Sequence, residues 1–304
     1  MHSDLAVDLK GRTSLVTGAN QGLGYSTAME LAKRGATVHM VCRNAERGQK
    51  ARDDIVAATG NASVVLHVAD LSSVAAVKKV AAAVNATGKP LHILVNNAGC
   101  LINPRTETFE GLEINFATNT VATFLLTEEL LPLLRSSTPS RVITVSSGGQ
   151  YTEELVTEDM QWSGGGFEGA RQYARDKRRQ TALTQWWAAD AANAGVTFAS
   201  MHPGWADTDA VRTSLPDFYN ALKSRLRSPE QGADTIVWLC CAPAEKLQTG
   251  SFYFDRKATS VHLGMAGTQY EMAKVDELAK LLREVVSSVL ASAKHEAVPA
   301  SAPA

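Results

Sequence analysis

Short β-branched runs alternate with longer segments of helical period along almost the whole chain, and this alternation constrains the fold most. The strand-like runs are Ser14–Thr17, Thr37–Cys42, Ser63–Ala69, Ile93–Asn96, Arg141–Ser146, Thr197–His202 and Ser251–Phe254. Between them, Tyr25–Arg34 reads as a helix closed by Gly35, and Asn115–Arg135 and Tyr173–Asn193 carry apolar residues at helical spacing. Apolar strands joined through helices predict a parallel sheet covered on both faces. The expected fold is therefore α/β, a single doubly wound domain with a seven-stranded parallel sheet flanked by helices.

No break in composition divides the chain, so one domain is expected over residues 11–294. It is preceded by an extension over residues 1–10 and followed by a Pro/Ala-rich disordered tail over residues 295–304. Val275, Leu278, Leu282, Val285 and Val289 form one stripe before that tail, which predicts a helix docked on the core.

A net charge of −1 gives no electrostatic case for nucleic acid as a partner. The four cysteines show neither a disulfide framework nor metal-ligand spacing, which favours a reducing compartment and no metal. Met1–Lys10 is too short for a signal core or a membrane span. No apolar run elsewhere has the length of a transmembrane segment. The expectation is a soluble, cytoplasmic chain.

Gly18, Gly22 and Gly24, in Thr17-Gly18-Ala19-Asn20-Gln21-Gly22-Leu23-Gly24, lie between the first strand and the first helix. Backbone amides and a helix N-terminus there can face a pyrophosphate, the nucleotide loop of a Rossmann fold. The second strand ends Val41-Cys42-Arg43-Asn44, with no carboxylate before Glu46. A basic residue at this place suits a 2′-phosphate, so Arg43 favours NADP(H) over NAD(H), with Arg47 a second contact.

With these motifs the chain resembles the short-chain dehydrogenase/reductases from about Gly11 to Arg256, with the long Ser-to-Tyr separation of their retinol-dehydrogenase-like branch. The glycine loop is TGxxxGxG, with Asn20 and Leu23 inside it, and Asp70-Leu71 matches the adenine-contacting end of the third strand. Asn96-Asn97-Ala98-Gly99 is the NNAG motif. Asn119 matches the asparagine of the fourth helix, Ser147 the catalytic serine, and Tyr173 with Lys177 is YxxxK. Pro203-Gly204 with Thr208 matches the segment that holds the nicotinamide carboxamide. The resemblance implies that Lys177 also grips the nicotinamide ribose and that Asn119 holds a water continuing a proton relay. A homodimer through the helices beginning near Asn115 and Tyr173 is left open.

The chemistry can be argued from the residues themselves. A free tyrosine titrates near pH 10, and an ammonium one helical turn away should lower that value. Tyr173 would then donate to a carbonyl oxygen or accept from an alcohol, while Ser147 stabilises charge on the same oxygen. Alone, Lys177-Arg178-Arg179 would read as a solvated basic face, and Ser146-Ser147 as a strand end. Two irregular stretches, residues 148–171 and 204–227, leave strand ends and should build the substrate pocket. Gln150, Trp162, Trp205 and Phe218 are its candidate walls. Their apolar content points to a lipid-, retinoid- or xenobiotic-like carbonyl compound. The alternative is a cofactor-binding regulatory protein with little or no turnover.

Overall fold

The computed structural model describes residues 7–207, 212, 216–264 and 266–296. The strands are β1 (Thr13–Thr17), β2 (Thr37–Cys42), β3 (Val64–Val68), β4 (Ile93–Asn96), β5 (Ser140–Val145), β6 (Val196–His202), β7 (Ser251–Phe254) and β8 (Lys257–Thr259). The helices are α1 (Gly22–Lys33), α2 (Ala45–Thr59), α3 (Val74–Asn85), α4 (Ala122–Ser136), α5 (Gly169–Ala189), α6 (Pro216–Leu222), α7 (Pro229–Cys241) and α8 (Met272–Glu296). All strands form one sheet in the order β3-β2-β1-β4-β5-β6-β7-β8.

Neighbours from β3 through β7 are parallel, with Val16 opposite Met40 on one side and Val95 on the other. Adjacent residues of a strand serve opposite faces of the sheet. Leu15 joins a core beneath α3, α4, α5 and α8, while Val16 joins a second core beneath α1, α2 and α7. Two separate cores on one parallel sheet are what double winding requires.

Three features depart from expectation. The sheet has eight strands rather than seven, because β8 folds back antiparallel on β7. Asp255 and Arg256 make the turn at φ of 48° and 61°, the positive values a tight two-residue hairpin needs. All three β8 residues are exposed, so no alternation of apolar residues announces the strand. Second, the fourth long helix opens as a π-helical turn, Phe116–Val121, which contains Asn119; such turns recur at functional sites. Third, α8 runs to Glu296, so the first residues assigned to the tail are helical.

The predicted stripe does dock. Val275, Leu278 and Leu282 are fully buried and Val289 nearly so, with Val285 packed at the edge of the same core. Trp186 Nε1 donates to Asp276 at 2.7 Å, and Arg283 Nη2 to Glu128 at 3.0 Å, pinning α8 over α5 and α4. Among the described residues no helix is long and apolar enough to cross a membrane.

Candidate active site

The cleft lies where β1 and β4 part company, at the carboxyl ends of the strands, the place where strand order reverses. β1 ends at Thr17, and Gly18 and Gly22 take φ of 65° and 54°, which favour glycine. Gly24 is more tightly constrained. A Cβ there would stand 2.3 Å from the Gly18 carbonyl oxygen and 2.5 Å from Asn97 Nδ2.

The NNAG motif braces this loop. The Thr17 hydroxyl accepts from the Asn97 and Ala98 amides, each at 2.9 Å, and Asn97 Nδ2 donates to the Thr17 carbonyl at 2.8 Å. No side chain caps α1, whereas Asn44, Ser73 and Ser228 cap α2, α3 and α7. A glycine cradle opening on uncapped helix amides fits a pyrophosphate.

The other cofactor candidates surround the cradle. Asn20 and Leu23 are half-buried within the loop. Arg43 is exposed just beyond β2, and Asn44 accepts from the Arg47 amide at 2.8 Å. Asp70 closes the turn after β3 by accepting from the Ser72 amide and hydroxyl, and Leu71 is buried beneath it. Gly99 sits beside Asn119 and Lys177, since a Cβ there would lie 2.9 Å from Asn119 Oδ1 and 3.4 Å from Lys177 Nζ. Pro203 and Gly204 follow β6, with Gly204 at φ 74° against the Arg227 guanidinium. Thr208 lies outside the described residues.

Ser147, Tyr173, Lys177 and Asn119 come from three elements that meet at the cleft. Ser146, just after β5, acts as a strut, bonding the Lys177 carbonyl at 2.9 Å and the Thr181 hydroxyl at 3.0 Å. That leaves Ser147 at the opening, where its hydroxyl accepts from the Gly149 amide at 3.2 Å and acts on the Tyr173 phenol to pull its pKa down. Lys177 Nζ stands 5.3 Å from the Tyr173 ring centroid and donates to the Val145 carbonyl at 2.8 Å and Gln180 Oε1 at 3.0 Å. The Asn119 side chain clamps the backbone of Cys100, accepting from its amide and donating to its carbonyl at 2.9 Å each. The Asn119 carbonyl accepts from Gln180 Nε2 at 2.6 Å.

Burial, not the ammonium, sets the phenol. It pushes Tyr173 up to about 12, opposite to the expected direction, with the Ser147 hydrogen bond pulling down and Cys100 and Asp176 pushing up. Burial also pulls Lys177 down to about 8, against the raising effect of Asp176 and Cys100. The Cys100 thiol is pushed up to about 11 by burial, which suits a packing role. His202 stacks on Phe254 at 4.9 Å and is held down near 4 by burial, a structural histidine.

The expected pocket walls fare unevenly. Gln150 is fully buried, accepting from Arg178 Nη1 and donating to the Val261 carbonyl, so it braces the loop and does not face a substrate. Trp162 is half-buried, with the Arg175 guanidinium 4.1 Å over its ring. Trp205 is 54% exposed. The Phe218 side chain lies outside the described residues. Arg178 and Arg179 are not a solvated face, since both are fully buried. Arg178 bonds the Val261 and Thr268 carbonyls and His262, while Arg179 pairs with Asp176 at 2.8 Å. Helical spacing cannot reveal this burial, because the partners come from segments distant in sequence. A groove of about 410 Å³ lined by Tyr25, Glu30, Arg34, Asp234 and Arg256 lies away from all these groups; chemistry rather than size locates the site.

Comparison with known proteins agrees with this geometry. The chain is 45% identical over 283 residues to bovine dehydrogenase/reductase SDR family member 12, spanning 93% of this chain and 88% of that one. Human retinol dehydrogenase 11 is 34% identical over 93% of this chain and 87% of its own. Among solved structures, a 3-oxoacyl-(acyl-carrier-protein) reductase from Agrobacterium tumefaciens with NADP bound superposes with a TM-score of 0.67 at 26% identity. That match covers 83% of this chain and 95% of the other. The short chain dehydrogenase family matches residues 12–217. On sequence, fold and the meeting of its motifs at one cleft, the chain belongs to the short-chain dehydrogenase/reductase family of oxidoreductases.

Proposed function

We propose that this chain is an NADP(H)-dependent carbonyl reductase or alcohol dehydrogenase, with Tyr173 as its acid–base and Ser147 as its oxyanion partner. The observation that carries the reading is that Ser146 bonds the Lys177 carbonyl, which brings the adjoining Ser147 against α5, where Lys177 Nζ stands 5.3 Å from the Tyr173 ring centroid. When bound, the nicotinamide supplies or takes the hydride. The chain's own residues handle the oxygen. Tyr173 Oη gives its proton to the carbonyl oxygen in reduction and takes it back in oxidation, while the Ser147 hydroxyl hydrogen-bonds that oxygen as charge develops. A phenol pushed up to about 12 is protonated at neutral pH, the form that reduction needs.

Arg43 supports NADP(H), since it stands exposed where a ribose 2′-phosphate would lie and no carboxylate shares its position. The match to a reductase with NADP bound supports the same choice. The likeness to a retinol dehydrogenase, with exposed Trp205, supports an apolar carbonyl compound as substrate. The test is NADPH oxidation with a panel of aldehydes, ketones and quinones, using wild type and Tyr173→Phe. Turnover should fall at least ~1,000-fold in the variant with NADPH affinity retained. NADPH binding without turnover of any substrate class would favour a regulatory, non-catalytic role.

A further inference from the structure

Lys177 is a buried ammonium, and its surroundings explain how its charge survives there. Five groups face it: Tyr173 and Asp176 from α5, Cys100 from the loop after β4, the Val145 carbonyl from β5, and Gln180 one turn further along α5. Asp176 is already engaged by the Thr120 hydroxyl at 2.7 Å and by Arg179 at 2.8 Å. The Cys100 thiol is held neutral by burial. Neither is a direct acceptor for Nζ among the hydrogen bonds of this cluster.

Gln180 is fully buried, and both ends of its carboxamide are taken. Oε1 accepts from Lys177 Nζ at 3.0 Å, and Nε2 donates to the Asn119 carbonyl at 2.6 Å and to the Thr123 hydroxyl at 2.9 Å. An ammonium only donates and a carbonyl only accepts. Turning the amide over would set donor against donor and acceptor against acceptor, so its orientation is fixed by its neighbours.

We propose that Gln180 is a positioning residue for Lys177: its carboxamide, locked between Nζ and the Asn119 carbonyl, holds the ammonium aimed at the cleft and couples it to the π-helical turn. An ammonium has three donors, and Val145 and Gln180 occupy two. The third is left for a nucleotide hydroxyl or the phenol. A carboxamide stabilises the charge through its dipole but exchanges no proton at neutral pH, so it steadies Lys177 without becoming a competing base. This role deepens the oxidoreductase reading and rests on it for its purpose, though not for its test.

The experiment is carried out on the full chain without cofactor. Lysine side chains are labelled with carbon-13 at Cε, the Lys177 signal is assigned by its loss in Lys177→Met, and its titration is followed by NMR. Gln180→Met should lower the Lys177 midpoint by about one unit, the scale of one hydrogen bond to a charged group, and Gln180→Glu should raise it. NADPH affinity should weaken about tenfold in Gln180→Met. Folding is checked by circular dichroism; should Gln180→Met not fold, Gln180→Asn, which shortens the reach to Nζ, takes its place. A Lys177 midpoint unmoved in folded variants, or moved equally in both, overturns the proposal. A chain that shows these shifts yet reduces no carbonyl compound would sink the enzyme reading and leave this one standing.

Discussion

The glycine cradle and the region around α5 are both fixed in place, but by different means. In the cradle, backbone meets backbone. Gly24 approaches the Gly18 carbonyl so closely that no Cβ fits, and the Thr17 hydroxyl gathers two amides of the NNAG segment. Around α5, buried side chains reach across long stretches of sequence. Arg178 holds the segment after β8 through the Val261 and Thr268 carbonyls, and Asp176 ties α5 to the π-helical turn through Thr120. Contacts of the first kind leave no room for a larger side chain at Gly24, and they tolerate almost no substitution. Contacts of the second kind depend on polar side chains being fully satisfied, and removing one leaves several partners stranded.

The sharpest way to break this contrast is Gly24→Ala. A methyl group 2.3 Å from the Gly18 carbonyl must displace the loop, so NADPH affinity should fall ~100-fold or more by fluorescence titration. Arg178→Met probes the other region. It strands the acceptors of Gln150, Val261 and Thr268 and should cost about 3 kcal/mol in urea unfolding, while leaving NADPH affinity close to wild type. Arg178→Lys keeps the charge but not the fork, and should recover only part of that stability. If Arg178→Met weakened NADPH as much as Gly24→Ala does, the two regions would not be separable.

Acid supplies a milder probe of a third kind of contact. His39 and His67 stack across β2 and β3 with ring nitrogens 2.8 Å apart, and burial, helped by His67 and Lys89, holds His39 down to about 4. Below pH 6.5 the unfolded chain binds a proton that the folded chain refuses. Stability should therefore be lost as pH falls from about 6.5 through about 4, by on the order of 2–3 kcal/mol. His39→Phe should flatten that part of the stability profile, and an unchanged acid limb would remove the pair from the explanation. The smallest effect is expected at the cradle's rim, where Arg43→Asp should weaken NADPH about tenfold and improve NADH. Equal NADPH affinity in that variant would take Arg43 out of the cofactor site.

The same contrast explains which parts could be read in advance. β2, β4 and β7 fall where their apolar runs lie, because strands covered on both faces are built mainly of apolar residues. The glycine loop and NNAG are legible because a backbone-made site allows few residues at each position. β8 was not legible, since three exposed residues carry no pattern and only the Asp255-Arg256 turn sets them antiparallel. Gln150 misled for a related reason: its place after the serine pair suggested a cleft wall, and only Arg178 arriving from α5 shows that it faces inward.

What the chain determined by itself was the doubly wound sheet, the nucleotide loop and the order of Asn119, Ser147, Tyr173 and Lys177 along it. Periodicity and glycine placement are local properties, and local sequence carries them. The tertiary structure decided the electrostatics and the polar scaffolding. It buried Tyr173 and Lys177 deeply enough to move the phenol up and the ammonium down. It turned an apparently solvated Arg178-Arg179 face inward and set Gln180 between Lys177 and Asn119. Desolvation and hydrogen-bond partnership depend on what packs against a residue from elsewhere in the chain, and no local pattern contains that.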